Sequence, residues 1–230
     1  MELTHIVYGL LSGVLPAVLW LWFWLHEDNL HPEPRGTIVK AFIGGMLAVI
    51  LVIPLQQYIE SAILDQSVKY IFWAGAEELI KFGVAFVIAF HDDILDEPVD
   101  AVVYLITVAL GFAALENAFF VMTPLSEGNI GATIATGNLR FIGASLVHVV
   151  SSAAIGILIA FSFFKGHFAR FGAGFIGLIL ATALHSAYNL FIIESSVHNT
   201  LRTFGFVWLA VIVIMFLFER VKRIQGPARA

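Results

Sequence analysis

The sequence predicts an all-α, polytopic bundle of transmembrane helices with about seven spans, and three observations lead there. Hydrophobic residues make up 60% of the chain and charged residues only 13%, the mean hydropathy is +0.91, and long apolar runs alternate with short polar breaks. A soluble domain carries about twice that charged fraction. Roughly 20 mainly apolar residues are needed to cross a bilayer as a helix, and seven runs qualify, near 4–25, 38–57, 69–90, 99–122, 140–164, 171–193 and 203–219.

Taken in order, the first span has no basic segment before it, since the chain opens Met1-Glu2, so it reads as a retained helix and not a cleaved signal. It ends at the polar, proline-containing HEDNLHPEPRG. The second span leads to the third, which after Lys69 at its start is apolar apart from Glu77, Glu78 and Lys81 and stops at HDDILDEP. The fourth closes in the Gly-rich segment TPLSEGNIGATIATGN, read as a break before the fifth. The sixth and seventh follow after short connections. No soluble domain, fixed-period repeat or low-complexity linker interrupts them, so residues 1–230 form one integral membrane domain.

Composition also excludes functions. There is no basic stripe for nucleic acid, and the absence of cysteine removes disulfides, thiolate metal sites and a cysteine nucleophile. The net charge of -5 says little, because in membranes the distribution of Lys and Arg matters more than their sum. With the amino terminus outside, the inner side collects Arg35, Lys40, Lys165, Arg170, Arg220, Lys222, Arg223 and Arg229, and the outer side Lys69, Arg140 and Arg202. That count places the carboxy terminus in the cytoplasm.

Glu77 and Glu78 are costly where they stand. A charge at the centre of a membrane helix costs about 2.5–3.5 kcal/mol even on insertion scales, so a function is the default explanation. They lie roughly 12 Å in from the outer end of their span at 1.5 Å per residue. Antiparallel alternation puts Glu116 and Asn117 of the fourth span, His148 of the fifth and His185 of the sixth at similar distances from that same face. Small residues surround them, among them Gly75, Ala76, Gly111, Ala113, Ala114, Ser151 to Ala154, Gly156, Ala181 and Ala183, which suits close helix packing. Glu77 and Lys81 are four apart and share a helix face, so Glu77 is the expected partner of Lys81 and Glu78 the less constrained carboxylate. His185 and Asn189 also share a face.

Glutamates, histidines and an amide around one buried point suit hydrolysis: a glutamate as general base on water, histidines holding that water or a metal, and an amide steadying the oxyanion. Two histidines, a carboxylate and an open water position also make a catalytic zinc arrangement, for which Glu116, His148 and His185 are the expected ligands. Spacing alone leaves both forms open.

The strings AEELIKF at Glu77, EPVDAVVY at Glu97 to Tyr104, GFAALENAFF at Glu116, the Ser- and Gly-containing helix of His148, and HSAYN at His185 to Asn189 together resemble the PrsW family of intramembrane proteases. They occur in that family's order and cover spans three to six. The resemblance implies cleavage of membrane-anchored protein or peptide substrates in the bilayer, often in regulated proteolysis, in a prokaryotic cytoplasmic membrane. It assigns Glu77, Glu78, Glu116, His148 and His185 to the catalytic site, with Asn189 assisting and Lys81 and Asn117 in support. It places the chain in a superfamily with CAAX-processing and bacteriocin-immunity proteases. Where the CAAX branch has Arg after its glutamate pair and a His in the next motif, this chain has Lys81 and Glu116.

Plainer roles compete. A buried ion pair with Lys81 can fix packing alone, single core histidines are usually just hydrogen-bonded, and Asn117 and Asn189 can be interhelical glue. Asp100 reads as a helix-start residue after Pro98. HEDNLH, with His26, Glu27 and His31, lacks HExxH spacing and is discounted as a zinc motif. A proton- or ion-coupled transporter using the Glu/His cluster and a non-catalytic scaffold are the alternative classes. The segments from Met122 to Asn138 and from Glu194 to Thr203 border the polar layer and are candidates to admit substrate, or simple connections.

Overall fold

In the computed structural model, residues 3–27, 32–91, 94–193 and 197–226 are described. They are helical, with no strand among the described residues. The helices are α1 (Leu3–Glu27), α2 (Arg35–Ala62), α3 (Gln66–Ala89), α4 (Pro98–Ser126), α5 (Ile130–Leu139), α6 (Ser145–Ala160), α7 (His167–Ile193) and α8 (Val197–Val221). A π-helical turn, Arg140–Ala144, joins α5 to α6 without a break. His31, Asp92, Asp93, Glu194 and Arg229, which entered the sequence reading, lie outside the described residues.

Six stretches, including the continuous Ile130–Ala160, are long and apolar enough to cross a membrane. Helix α3 is of similar length, about 36 Å at 1.5 Å per residue, but carries Lys69, Glu77, Glu78 and Lys81. The chain is an integral membrane protein of all-α type.

Helix α4 is the axis. Every residue from Pro98 to Ala114 is buried, and α6 is nearly as enclosed. The other long helices ring them and turn large apolar side chains outward, such as Leu15, Trp22, Leu51, Phe86, Ile176 and Phe216. Such a surface suits lipid. Close approach depends on reciprocal glycines of α2 and α4: a Cβ at Gly45 would collide with the carbonyl of Val108, and one at Gly111 with that of Phe42.

One expected break is shorter than the sequence suggests, spanning 127–129. The Gly-rich stretch after the fourth span contains α5, whose first turn is capped by Asn129 accepting from the Ala132 N–H at 3.0 Å. Gly128 takes φ +72° and makes the turn that precedes it. Since α5 buries none of its residues, no apolar stripe marks it in the sequence.

Candidate active site between four helices

Helix α3 starts cleanly, with Asp65 accepting from the Val68 N–H at 2.9 Å, and three turns later presents two glutamates to the interior. Glu78 is fully buried. Its Oε1 accepts from Lys81 Nζ at 2.6 Å and from His185 Nδ1 at 2.8 Å, and its Oε2 from the Ser152 hydroxyl at 3.1 Å. Lys81 donates onward to His148 Nδ1 at 3.0 Å and lies 4.9 Å from the centre of the Phe112 ring. His148 Nε2 in turn meets Glu116 Oε2 at 3.1 Å. The sequence expectation for Lys81 is therefore corrected: its partner is Glu78, three residues back, and not Glu77. Both spacings face one another on a helix, and His185 and Ser152 converging on Glu78 decide between them.

These partners fix the rings. Lysine has no acceptor, so His148 takes its bond on a bare Nδ1 and carries its proton on Nε2 toward Glu116. A carboxylate has no donor, so His185 donates from Nδ1, and in the neutral ring Nε2 keeps its lone pair. The two imidazoles stand edge to face, 4.9 Å apart. Each is thus backed by a carboxylate, the arrangement that orients histidines in metal and hydrolytic sites.

Glu77 is the odd member. Its Oε1 accepts from Gln56 Nε2 at 2.9 Å, while its buried Oε2 has no hydrogen-bond partner and lies 3.7 Å from His185 Nε2. Single ligand atoms from Glu77, His148 and His185 lie within 4.8 Å of one another. A buried carboxylate oxygen without a donor and the His185 Nε2 lone pair beside it are free to take a divalent cation, and His148 Nδ1 would become a third ligand on release of its bond from Lys81. The converging carboxylate is Glu77, whereas Glu116, expected from the sequence as a ligand, is ion-paired with Arg140 and hydrogen-bonded to His148.

Residues 33–218 match the family described as PrsW family intramembrane metalloprotease. The chain belongs to the PrsW family. Protease PrsW of Geobacillus kaustophilus is 31% identical over 170 residues, covering 71% of this chain and 69% of that one. Protease PrsW of Bacillus subtilis is 23% identical over 206 residues, covering 86% and 89%. No solved structure matches the chain. As a member of this family of intramembrane metalloproteases the chain is a peptidase.

The structure of this PrsW-family chain adds residues that sequence reasoning passed over. Asn117 donates to Ser145 at 2.9 Å and accepts from Arg140 Nε at 2.5 Å. Arg140 entered the sequence reading only as a basic residue of the outer side, and Gln56 and Ser145 did not enter it. Their signal was polarity at the same depth as Glu77 and Glu116. Asn189, one turn beyond His185, is half-buried and makes no hydrogen bond to the cluster among the described residues. Asp100 stands apart at the other end of α4, accepting from the backbone N–H groups of Asp96 at 2.9 Å and Glu97 at 2.7 Å.

Proposed function

We infer that the chain hydrolyses peptide bonds of membrane-anchored proteins within the bilayer, with Glu77, His148 and His185 at the reacting centre. The observation that carries this reading is the unpartnered Glu77 Oε2, buried beside His185 Nε2. Leaving a carboxylate oxygen buried without a donor is costly unless its lone pairs have a use.

A divalent metal such as zinc, held by Glu77, His148 and His185, would supply Lewis acidity toward the scissile carbonyl and lower the pKa of the attacking water. The protein's own part is positional. Gln56 holds Oε1 of Glu77, so Oε2 is the atom left either to ligate that metal or, in a metal-free reaction, to take a water proton and hand it to the leaving amine. Glu78 keeps the His185 proton on Nδ1, and Lys81 offsets the charge of Glu78 where no solvent reaches. Glu116 does for His148 what Glu78 does for His185. Asn189, which shares a helix face with His185, is the amide assigned to steady the oxyanion.

The favoured orientation has the amino terminus outside, seven crossings and the site nearer the outer face. Its support is the distribution of Lys and Arg, and withdrawing Arg140, whose charge is spent within the site, leaves that distribution more one-sided.

The test is cleavage of a co-expressed single-pass reporter. Glu77→Gln and His185→Ala should stop it while the protein still inserts, and chelation of the purified enzyme should stop it until a divalent ion is restored. Unchanged cleavage in both variants would remove the reading, and indifference to chelation would remove the metal from it.

A further inference from the structure

The cluster contains a second cation that the hydrolysis reading leaves without a task. Arg140 lies on the π-helical turn, 17% exposed at its side chain. It donates from Nε to Asn117 and from Nη2 to Glu116 Oε2, the same oxygen that accepts from His148. Its guanidinium also stacks on Phe120, 3.8 Å from the ring centre. A planar fork held on three sides fixes the carboxylate it grips, in a way a flexible ammonium could not.

The π turn explains how this residue reaches the site. Arg140 and His148 are eight residues apart, which in an unbroken α-helix would set them about 80° apart around the axis at 100° per residue. A π turn absorbs one residue. The pair then behaves as if seven apart, two turns along one face, and both side chains meet Glu116. The turn itself is braced by Trp20 Nε1 donating to the Phe141 carbonyl at 3.4 Å. Irregular helix of this kind tends to occur at functional sites.

We propose that Arg140 is a positioning residue of the peptidase, which locks the Glu116 carboxylate against His148 Nε2 and so fixes the tautomer and orientation of the His148 ring, whose Nδ1 accepts from Lys81. It acts through Glu116 and touches no reacting atom. The proposal rests on the hydrolysis reading for its kinetics but has a readout independent of it.

The experiment uses the full chain purified in detergent, a single-pass reporter, and the variants Arg140→Met, Arg140→Lys, Glu116→Gln and the double variant Arg140→Met/Glu116→Gln. Removal of a residue that supports a liganding histidine typically costs about 10- to 100-fold. Arg140→Met should therefore lose that much kcat with KM unchanged, and Arg140→Lys should recover part of it. The double variant should be no worse than Arg140→Met alone. In proton–nitrogen spectra of protein labelled at histidine, the His148 Nε2–H signal, identified by its loss in His148→Gln, should shift in Arg140→Met.

Full kcat in Arg140→Met, losses that multiply in the double variant, or an unmoved His148 signal would each overturn the proposal. A wild-type chain that cleaves no reporter would instead overturn the hydrolysis reading. The spectra would still decide whether Arg140 holds His148.

Discussion

Helix α4 carries two carboxylates, Asp100 buried in its first turn and Glu116 half-buried past its middle, and the two are satisfied differently. In the first turn, Asp100 is satisfied locally, by backbone N–H groups three and four residues away, with Tyr104 donating to Glu33 beside it. Sixteen residues and about 24 Å along the axis, Glu116 is satisfied only by side chains of the π turn and α6. It is one of three carboxylates gathered there from two helices. The Asp100 group closes on itself, as a helix start does. The Glu116 group spends far more desolvation than packing requires and still leaves Glu77 Oε2 free. Satisfaction by nearby backbone marks a structural carboxylate, and convergence with an orphan atom marks a chemical one.

Between them the helix is dry. Residues Ala101 to Ala114 are buried, and Thr107, a polar residue of that stretch, returns its hydroxyl to the Val103 carbonyl at 2.8 Å. No polar path joins the two groups through α4 among the described residues.

The largest way to break the comparison is within the Glu/His cluster. Glu78→Gln leaves the Lys81 ammonium buried and uncompensated, and breaking a buried pair costs about 3–5 kcal/mol. Thermal unfolding should fall sharply and cleavage vanish with it. Glu77→Gln should behave otherwise: general-base removal costs ~10³-fold in rate, yet the melting temperature should hold, because no cation depends on Glu77 for a direct contact. Equal destabilisation by both substitutions, measured by scanning fluorimetry in detergent, would erase the distinction between a supporting and a reacting glutamate.

A smaller effect sharpens the same point from α2. Gln56→Leu removes the one donor on Glu77 Oε1 and frees the carboxylate to rotate. Loss of such outer support costs about 10-fold in rate, without loss of protein from the membrane fraction. A variant as fast as wild type would show that Glu77 needs no orientation by Gln56.

How much of this was readable in the chain follows from the same physics. Glu77, Glu78, Glu116, His148 and His185 announce themselves because charge and imidazole are rare in apolar spans and helix order sets their depth. The structure does bring them within reach of one another. The all-α membrane class was equally legible from apolar run lengths. Which glutamate Lys81 would choose was not, since positions three and four residues away are equivalent until neighbouring helices supply His185 and Ser152. Arg140 looked like an interface residue because its reach depends on a π turn, which leaves no periodic trace in so short a segment. Helix α5 escaped notice because it buries nothing.

The smallest expected effect lies at Asp100, and it is the control for all the others. Asp100→Ala strips the acceptor from two backbone N–H groups at the start of the axial helix. Leaving a buried donor unpaired costs about 1–3 kcal/mol, and Asp100→Asn, which keeps one acceptor oxygen, should cost less. For a chain of this size 1 kcal/mol shifts the melting temperature by roughly 2–4 °C. The Asn variant should therefore melt a few degrees early while its cleavage per folded molecule equals that of wild type. A fall in kcat at full occupancy of the fold would mean that Asp100 takes part in the reaction after all. The dry stretch of α4 would then have to transmit an effect over about 24 Å of packed helix, which its close glycine contacts with α2 would make a matter of rigid-body position and not of charge.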